Sequence, residues 1–202
     1  MALGGIMSEP VIIIMGLAFG YLLGSIPFGL LFTRLGGKGD IRDIGSGNIG
    51  ATNVLRSGSK FLALATLLAD ALKGGLAVAL IWRLGSDTAA YMAGAAAFIG
   101  HLFPVWLDFK GGKGVAVFIG ALLILSPLTG VSFLFIWLVM AIAFRVSSLS
   151  AITAMILSLA ILVFLGETDM ASFTALMVAL SLWAHRENIG RLRSGTEPKI
   201  GS

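Results

Sequence analysis

Residues Val115 to Phe144 read VAVFIGALLILSPLTGVSFLFIWLVMAIAF, an apolar stretch without a charged residue, interrupted by Ser126 and Pro127. Proline lacks the N–H that a helix interior needs, so the stretch divides into helices at Val115 to Leu125 and Leu128 to Phe144. This division sets the topology of the whole chain. A single fused helix would carry Arg145 and the basic C-terminal tail to the side opposite the other cations. With two helices, Arg34, Lys38, Arg42, Arg56, Lys60, Lys110, Lys113, Arg145, Arg186, Arg191, Arg193 and Lys199 all fall on one side. Loops with such an excess of lysine and arginine stay in the cytoplasm.

Working outward, further apolar runs occupy Val11 to Leu35, Phe61 to Leu84, Thr88 to Leu107, Leu149 to Leu165 and Thr168 to Ala184. Most are near the roughly 20 residues that a spanning helix needs. The expectation is an all-α polytopic membrane protein with seven transmembrane helices, N-terminus outside and C-terminus cytoplasmic, forming a single domain over residues 1–202. Residues 1–10 read as an N-terminal extension. Only 12% of residues are charged, against about 25% in soluble proteins, so lipid is the main solvent. Val115 to Leu125 is too short to cross comfortably. It is expected to start below the membrane surface, behind an inward-dipping loop that lines a cavity open to the cytoplasm.

With no cysteine and two histidines, disulfides and thiolate metal sites are excluded and no metal is expected. The net charge of +4 follows from the positive-inside bias and implies no nucleic-acid partner. The first apolar run follows Glu9 rather than a basic stretch and is expected to remain as a helix, not to be removed as a signal peptide.

Three polar segments carry candidate chemistry. In Asp40-Ile-Arg-Asp-Ile-Gly-Ser-Gly-Asn-Ile-Gly-Ala-Thr-Asn-Val-Leu-Arg56, glycines can turn backbone N–H groups toward an anion, Ser46, Thr52 and Asn53 add side-chain hydrogen bonds, and Arg56 can grip a phosphate bidentately. The plainer reading is a solvated polar loop. Phe109-Lys-Gly-Gly-Lys-Gly-Val115 precedes a helix start, where free N–H groups, the dipole and Lys113 suit phosphate. Gly114 stands where a Walker A loop needs Ser or Thr, so ATP hydrolysis is not supported. Its plainer reading is a basic interfacial anchor. In His185-Arg-Glu-Asn-Ile-Gly-Arg-Leu-Arg193, read as the end of the last helix, His185 and Asn188 share a face and could meet a hydroxyl or phosphate. Inside the spans, Asp70 and Lys73 are expected to neutralise each other as a structural pair, and His101 to fix the nearby loop.

Taken together, Gly45-Ser-Gly-Asn-Ile-Gly-Ala-Thr-Asn-Val-Leu-Arg56, Gly100-His-Leu-Phe-Pro-Val105 with Phe109-Lys-Gly-Gly-Lys-Gly-Val-Ala116, and His185-Arg-Glu-Asn-Ile189 resemble the bacterial acyl-phosphate:glycerol-3-phosphate acyltransferase family. The resemblance extends from about Tyr21 to Gly201. It implies an inner-membrane enzyme, active site facing the cytoplasm, that transfers a fatty acyl group from acyl phosphate to glycerol 3-phosphate and releases lysophosphatidic acid and phosphate. It implies no cofactor and no direct use of acyl-CoA, with an upstream acyl-phosphate-producing enzyme as functional partner. By the same resemblance Ser46, Asn53, Lys113, His185 and Asn188 are candidate catalytic residues. Ser46, Gly47, Thr52, Arg56, Gly111, Gly112, Lys113 and Gly114 are candidate phosphate-binding residues. Val117 departs from the family's frequent threonine. The His-x4-Asp pattern of other glycerolipid acyltransferases is absent. A transporter or channel for small phosphorylated anions is the alternative, since buried cations and broken helices also build such pathways.

Overall fold

The computed structural model describes residues 7–201, and among them the chain is all-helical, without a strand. Of the expected N-terminal extension, residues 1–6 lie outside the described residues, while Glu9 and Pro10 already form the first turn of a helix. The helices are α1 (Glu9–Gly24), α2 (Phe28–Leu35), α3 (Ala51–Arg56), α4 (Lys60–Trp82), α5 (Asp87–Leu102), α6 (Val115–Leu125), α7 (Pro127–Phe144), α8 (Ser147–Phe164), α9 (Thr168–Ala184) and α10 (Arg186–Arg193). Among the described residues, five segments are long and apolar enough to cross a membrane: Glu9–Leu35, Lys60–Trp82, Asp87–Leu107, Pro127–Phe144 and Ser147–Phe164. α6 and α9 are apolar but shorter.

Two compact units divide the chain, Met1–Ala121 and Leu122–Ser202. In the first, α1 lies against α5 along a row of small residues. A Cβ at Gly20 or Gly24 would overlap the backbone of Ala93 or Ala97, so the two helices meet with nothing but hydrogen between them. Helices in lipid associate through this kind of close approach, because apolar burial gives little advantage when the solvent is itself apolar. The opposite faces are fatty. Leu64, Leu68, Leu72 and Leu76 recur every fourth residue on α4, and all are exposed, the placement expected of side chains that meet acyl tails.

The first apolar run is not one helix. It breaks at Ser25-Ile26-Pro27, with α1 ending at Gly24 and α2 restarting at Phe28. Pro27 supplies no N–H to continue the ladder, and the freed groups find other partners. Ser25 Oγ donates back to Tyr21 O at 2.8 Å, and Lys73 Nζ from α4 donates to Ile26 O at 2.8 Å. Polar side chains and neighbouring helices are what make such breaks tolerable in apolar surroundings.

In the second unit, α7 starts with Pro127 in its first turn and ends at Arg145, whose φ of 57° turns the chain into α8. α9 packs on α8. The last apolar run ends at Ala184 as its hydropathy places it, but the segment read as the end of that helix is set apart from it, because His185 is non-helical and α10 begins after it.

Candidate active site

The first polar segment closes on itself around Asn53. This side chain is 2% exposed, and its Nδ2 donates to the carbonyls of Ile41, Ile44 and Asn48 at 3.0, 2.9 and 2.8 Å while Oδ1 accepts from Ser46 N at 3.1 Å. The amide is thereby spent on shaping the loop. Gly45 and Gly47 hold φ values of +58° and +67°, a conformation with a steric cost for any residue bearing a Cβ. A Cβ on Gly45 would in addition press on Asn53 Oδ1 and Arg56 Cδ. Ser46, Gly47, Thr52 and Arg56 are exposed, with Arg56 Nη1 at 3.5 Å from Asn53 Oδ1.

Asp40 secures the entry to this loop. Its carboxylate accepts from Arg42 N, Nε and Nη2 and from Arg34 Nη2 at 2.7–3.0 Å. The Arg42 side-chain hydrogen bonds above all, with the Arg42 N–H and the Arg34 bond behind them, hold the carboxyl well below the usual range against the opposing desolvation. Arg34 and Arg42 are accordingly occupied with Asp40.

The second polar segment zips onto the end of α5. Gly111 N donates to Leu102 O at 3.0 Å and Gly112 N to His101 O at 2.9 Å, which satisfies carbonyls that a helix C-terminus leaves open. A Cβ on Gly112 would overlap His101 Nε2, and one on Gly114 would overlap the Phe98 ring. Asp108 and Phe109 just before them both lie at positive φ, 50° and 60°, an uncommon state for a bulky residue. Lys113 is half-buried, directly ahead of the first turn of α6.

In the second unit, His185 Nδ1 donates to Ser181 O at 2.8 Å, which fixes the tautomer and makes Nε2 the ring's acceptor. Asn188 Nδ2 donates to Glu197 Oε1, which also accepts from Ser148 Oγ at 2.7 Å, while Oε2 takes Arg191 Nε at 2.7 Å. Burial alone would push the Glu197 carboxyl up, but these hydrogen bonds from Ser148, Asn188 and Arg191 outweigh it and hold it below the ordinary value. Glu197 was not a candidate from sequence. The available signal was its place as the lone acid among Arg191, Arg193 and Lys199. Ser46, Gly47, Thr52, Asn53, Arg56, Gly111, Gly112, Lys113 and Gly114 thus belong to the first unit, and His185 and Asn188 to the second.

Residues 14–195 match the family model described as glycerol-3-phosphate acyltransferase. The chain is 56% identical to the glycerol-3-phosphate acyltransferase of Rhizobium etli, covering 91% of this chain and 89% of that one. It is 55% identical to the glycerol-3-phosphate acyltransferase of Agrobacterium fabrum, covering 96% and 95%. Among solved structures it resembles the crystal structure of PlsY, an integral membrane glycerol 3-phosphate acyltransferase, in its glycerol 3-phosphate form, with a TM-score of 0.88 and 36% identity over 94% of this chain and 96% of that one. The lysophosphatidic acid form of that protein gives a TM-score of 0.86 at 35% identity, covering 94% and 95%.

Proposed function

The chain belongs to the glycerol-3-phosphate acyltransferase family, and from that premise we propose that it transfers a fatty acyl group from acyl phosphate to glycerol 3-phosphate, giving 1-acyl-glycerol 3-phosphate and phosphate. The observation that supports this most is the likeness, over nearly the whole of both chains, to an integral membrane acyltransferase solved with glycerol 3-phosphate and again with lysophosphatidic acid. The proposed setting is a bacterial inner membrane crossed seven times by one domain of residues 1–202, with the N-terminus outside and the chemistry on the cytoplasmic side, fed by an enzyme that makes acyl phosphate.

Acyl phosphate is already activated, so positioning and charge stabilisation can carry most of the catalysis. In the proposed reaction the glycerol hydroxyl oxygen attacks the acyl carbonyl carbon, a tetrahedral oxyanion forms, and the C–O bond to phosphate breaks with its electron pair leaving on phosphate. Arg56 and Lys113 neutralise the two phosphates, with Ser46, Gly47 and Thr52 and the Gly111–Gly114 turn shaping the cradle. Asn53 holds Ser46 in place. His185 and Asn188 orient the attacking hydroxyl, and the donor's own phosphate, with a second pKa of about 6 by analogy with phosphoresidues, accepts the proton. This requires no covalent nucleophile and no cofactor.

Purified protein given glycerol 3-phosphate with acyl phosphate, and separately with acyl-CoA, tests the reading. Equal amounts of lysophosphatidic acid and phosphate from acyl phosphate alone are expected. Product from acyl-CoA in the absence of acyl phosphate would overturn the donor assignment.

A further inference from the structure

Lys73 lies midway along α4 and is 1% exposed. Its Nζ meets Asp70 Oδ1 at 2.7 Å, donates to Ile26 O at 2.8 Å and reaches His101 Nδ1 at 2.9 Å, with the Phe28 ring centroid 5.6 Å away. A charge at this depth is costly unless it is paired, and Asp70 one turn earlier already pairs it. The other two bonds therefore need a different explanation, and each leads to one of the glycine segments.

Toward the second segment, the ammonium donates to Nδ1, so the imidazole hydrogen sits on Nε2. That nitrogen lies against Gly112, where no side chain fits, and the Gly112 N–H is itself bound to His101 O at 2.9 Å. Toward the first segment, Ile26 O belongs to the break before α2. Gly29 on α2 lies so close to Ile49 O that a Cβ would overlap it, and Ile49 is part of the loop that Asn53 staples. One ammonium thus stands between the supports of both segments.

We propose that Lys73, Asp70 and His101 are positioning residues, an internal strut that holds the Gly111–Gly114 turn and the Gly45–Asn53 loop in register so that Lys113 and Arg56 meet the substrates. The strut rests on the reading of those segments as phosphate-binding. Kinetics for both substrates distinguishes the two, because partial loss of fold removes active molecules and lowers kcat alone, whereas a displaced binding group raises KM.

His101→Ala is expected to raise KM about tenfold or more, the scale on which misplaced positioning groups act, for the same substrate whose KM rises in Lys113→Ala. Its kcat should fall less than roughly threefold on that reasoning. His101→Gln, whose amide oxygen can accept from Lys73, is expected to restore most of the loss. If His101→Ala does not fold, His101→Asn, with its shorter reach, takes its place against the Gln variant. A fall in kcat at unchanged KM, or a Gln variant no better than Ala, overturns the strut. Unchanged KM values for both substrates in Lys113→Ala would instead sink the phosphate reading, and the strut with it.

Discussion

The two glycine segments of the first unit look alike in composition, but Gly47 in one and Gly112 in the other are required for different reasons. In the loop from Asp40 to Arg56, Gly45 and Gly47 are needed for their own backbone angles, φ +58° and +67°, around a buried amide. In the turn from Gly111 to Gly114, Gly112 is needed for what stands beside it, the His101 ring. A sequence rich in glycine announces a close backbone, and it does not say whether torsion or a neighbour forbids the side chain.

The largest expected effect probes the staple. Asn53→Ala leaves three carbonyls and the Ser46 N–H to find other partners, and at about 1 kcal/mol for each unmade bond it should destabilise the first unit by about 4 kcal/mol. An unchanged thermal transition in detergent would break the contrast, because the loop would then hold without its amide.

Gly45→Ala and Gly112→Ala should each cost about 1–3 kcal/mol, the first through a left-handed backbone and the second through overpacking. Their rescue should differ. Trimming the neighbour in a Gly112→Ala/His101→Ala pair is expected to recover at least part of the stability, a coupling that a double-mutant cycle reads directly. Gly45→Ala/Asn53→Ala should recover less, since relieving the contact with Asn53 Oδ1 leaves the left-handed backbone angle and the press on Arg56 Cδ in place. Equal rescue, or none in either, would erase the distinction.

Turnover sharpens the comparison differently. If the two segments do the electrostatic work and His185 only orients a hydroxyl, His185→Ala should keep measurable activity, reduced about tenfold to a hundredfold. Complete loss in a folded variant that still binds both substrates would make His185 the base.

The smallest effect contrasts a charged staple with the neutral one. The Glu197 carboxyl is lowered by its donors, so its stabilisation is full above the unfolded value of about 4.3. It is lost as the pH falls through the lowered folded value. Glu197→Gln should lower Tm by about 2–4 °C at neutral pH, and the difference from wild type should shrink in acid. A difference that persists in acid would contradict this, while the cost of Asn53→Ala, which removes a neutral amide, should show no such dependence.

Much of this could be read from residues alone. Val115–Leu125 and Thr168–Ala184 fall where the hydropathy put them, because apolar runs in lipid have few other ways to satisfy their backbone. The break at Pro27 was hidden inside a run that reads as one span, since the carbonyl it frees is answered by Lys73 from another helix, a long-range contact without local signature. The short helices α3 and α10, of six and eight residues, are too short for a hydrophobic period to mark them out. Asn53 was legible as a polar group near a phosphate cradle, yet its four backbone partners depend on how Ile41, Ile44, Asn48 and Ser46 fold around it. Gly111 and Gly112 read as anion donors, whereas their N–H groups close the end of α5.

The claim beneath all of this is that Arg56 and Lys113, presented by two unlike glycine segments, hold the reactants. The direct measurement is kcat/KM for lysophosphatidic acid formation from acyl phosphate by folded Arg56→Ala and Lys113→Ala. A loss of about a hundredfold to a thousandfold in each is expected, the scale of removing one preorganised charge stabiliser. Activity within a few-fold of wild type in both would contradict the account.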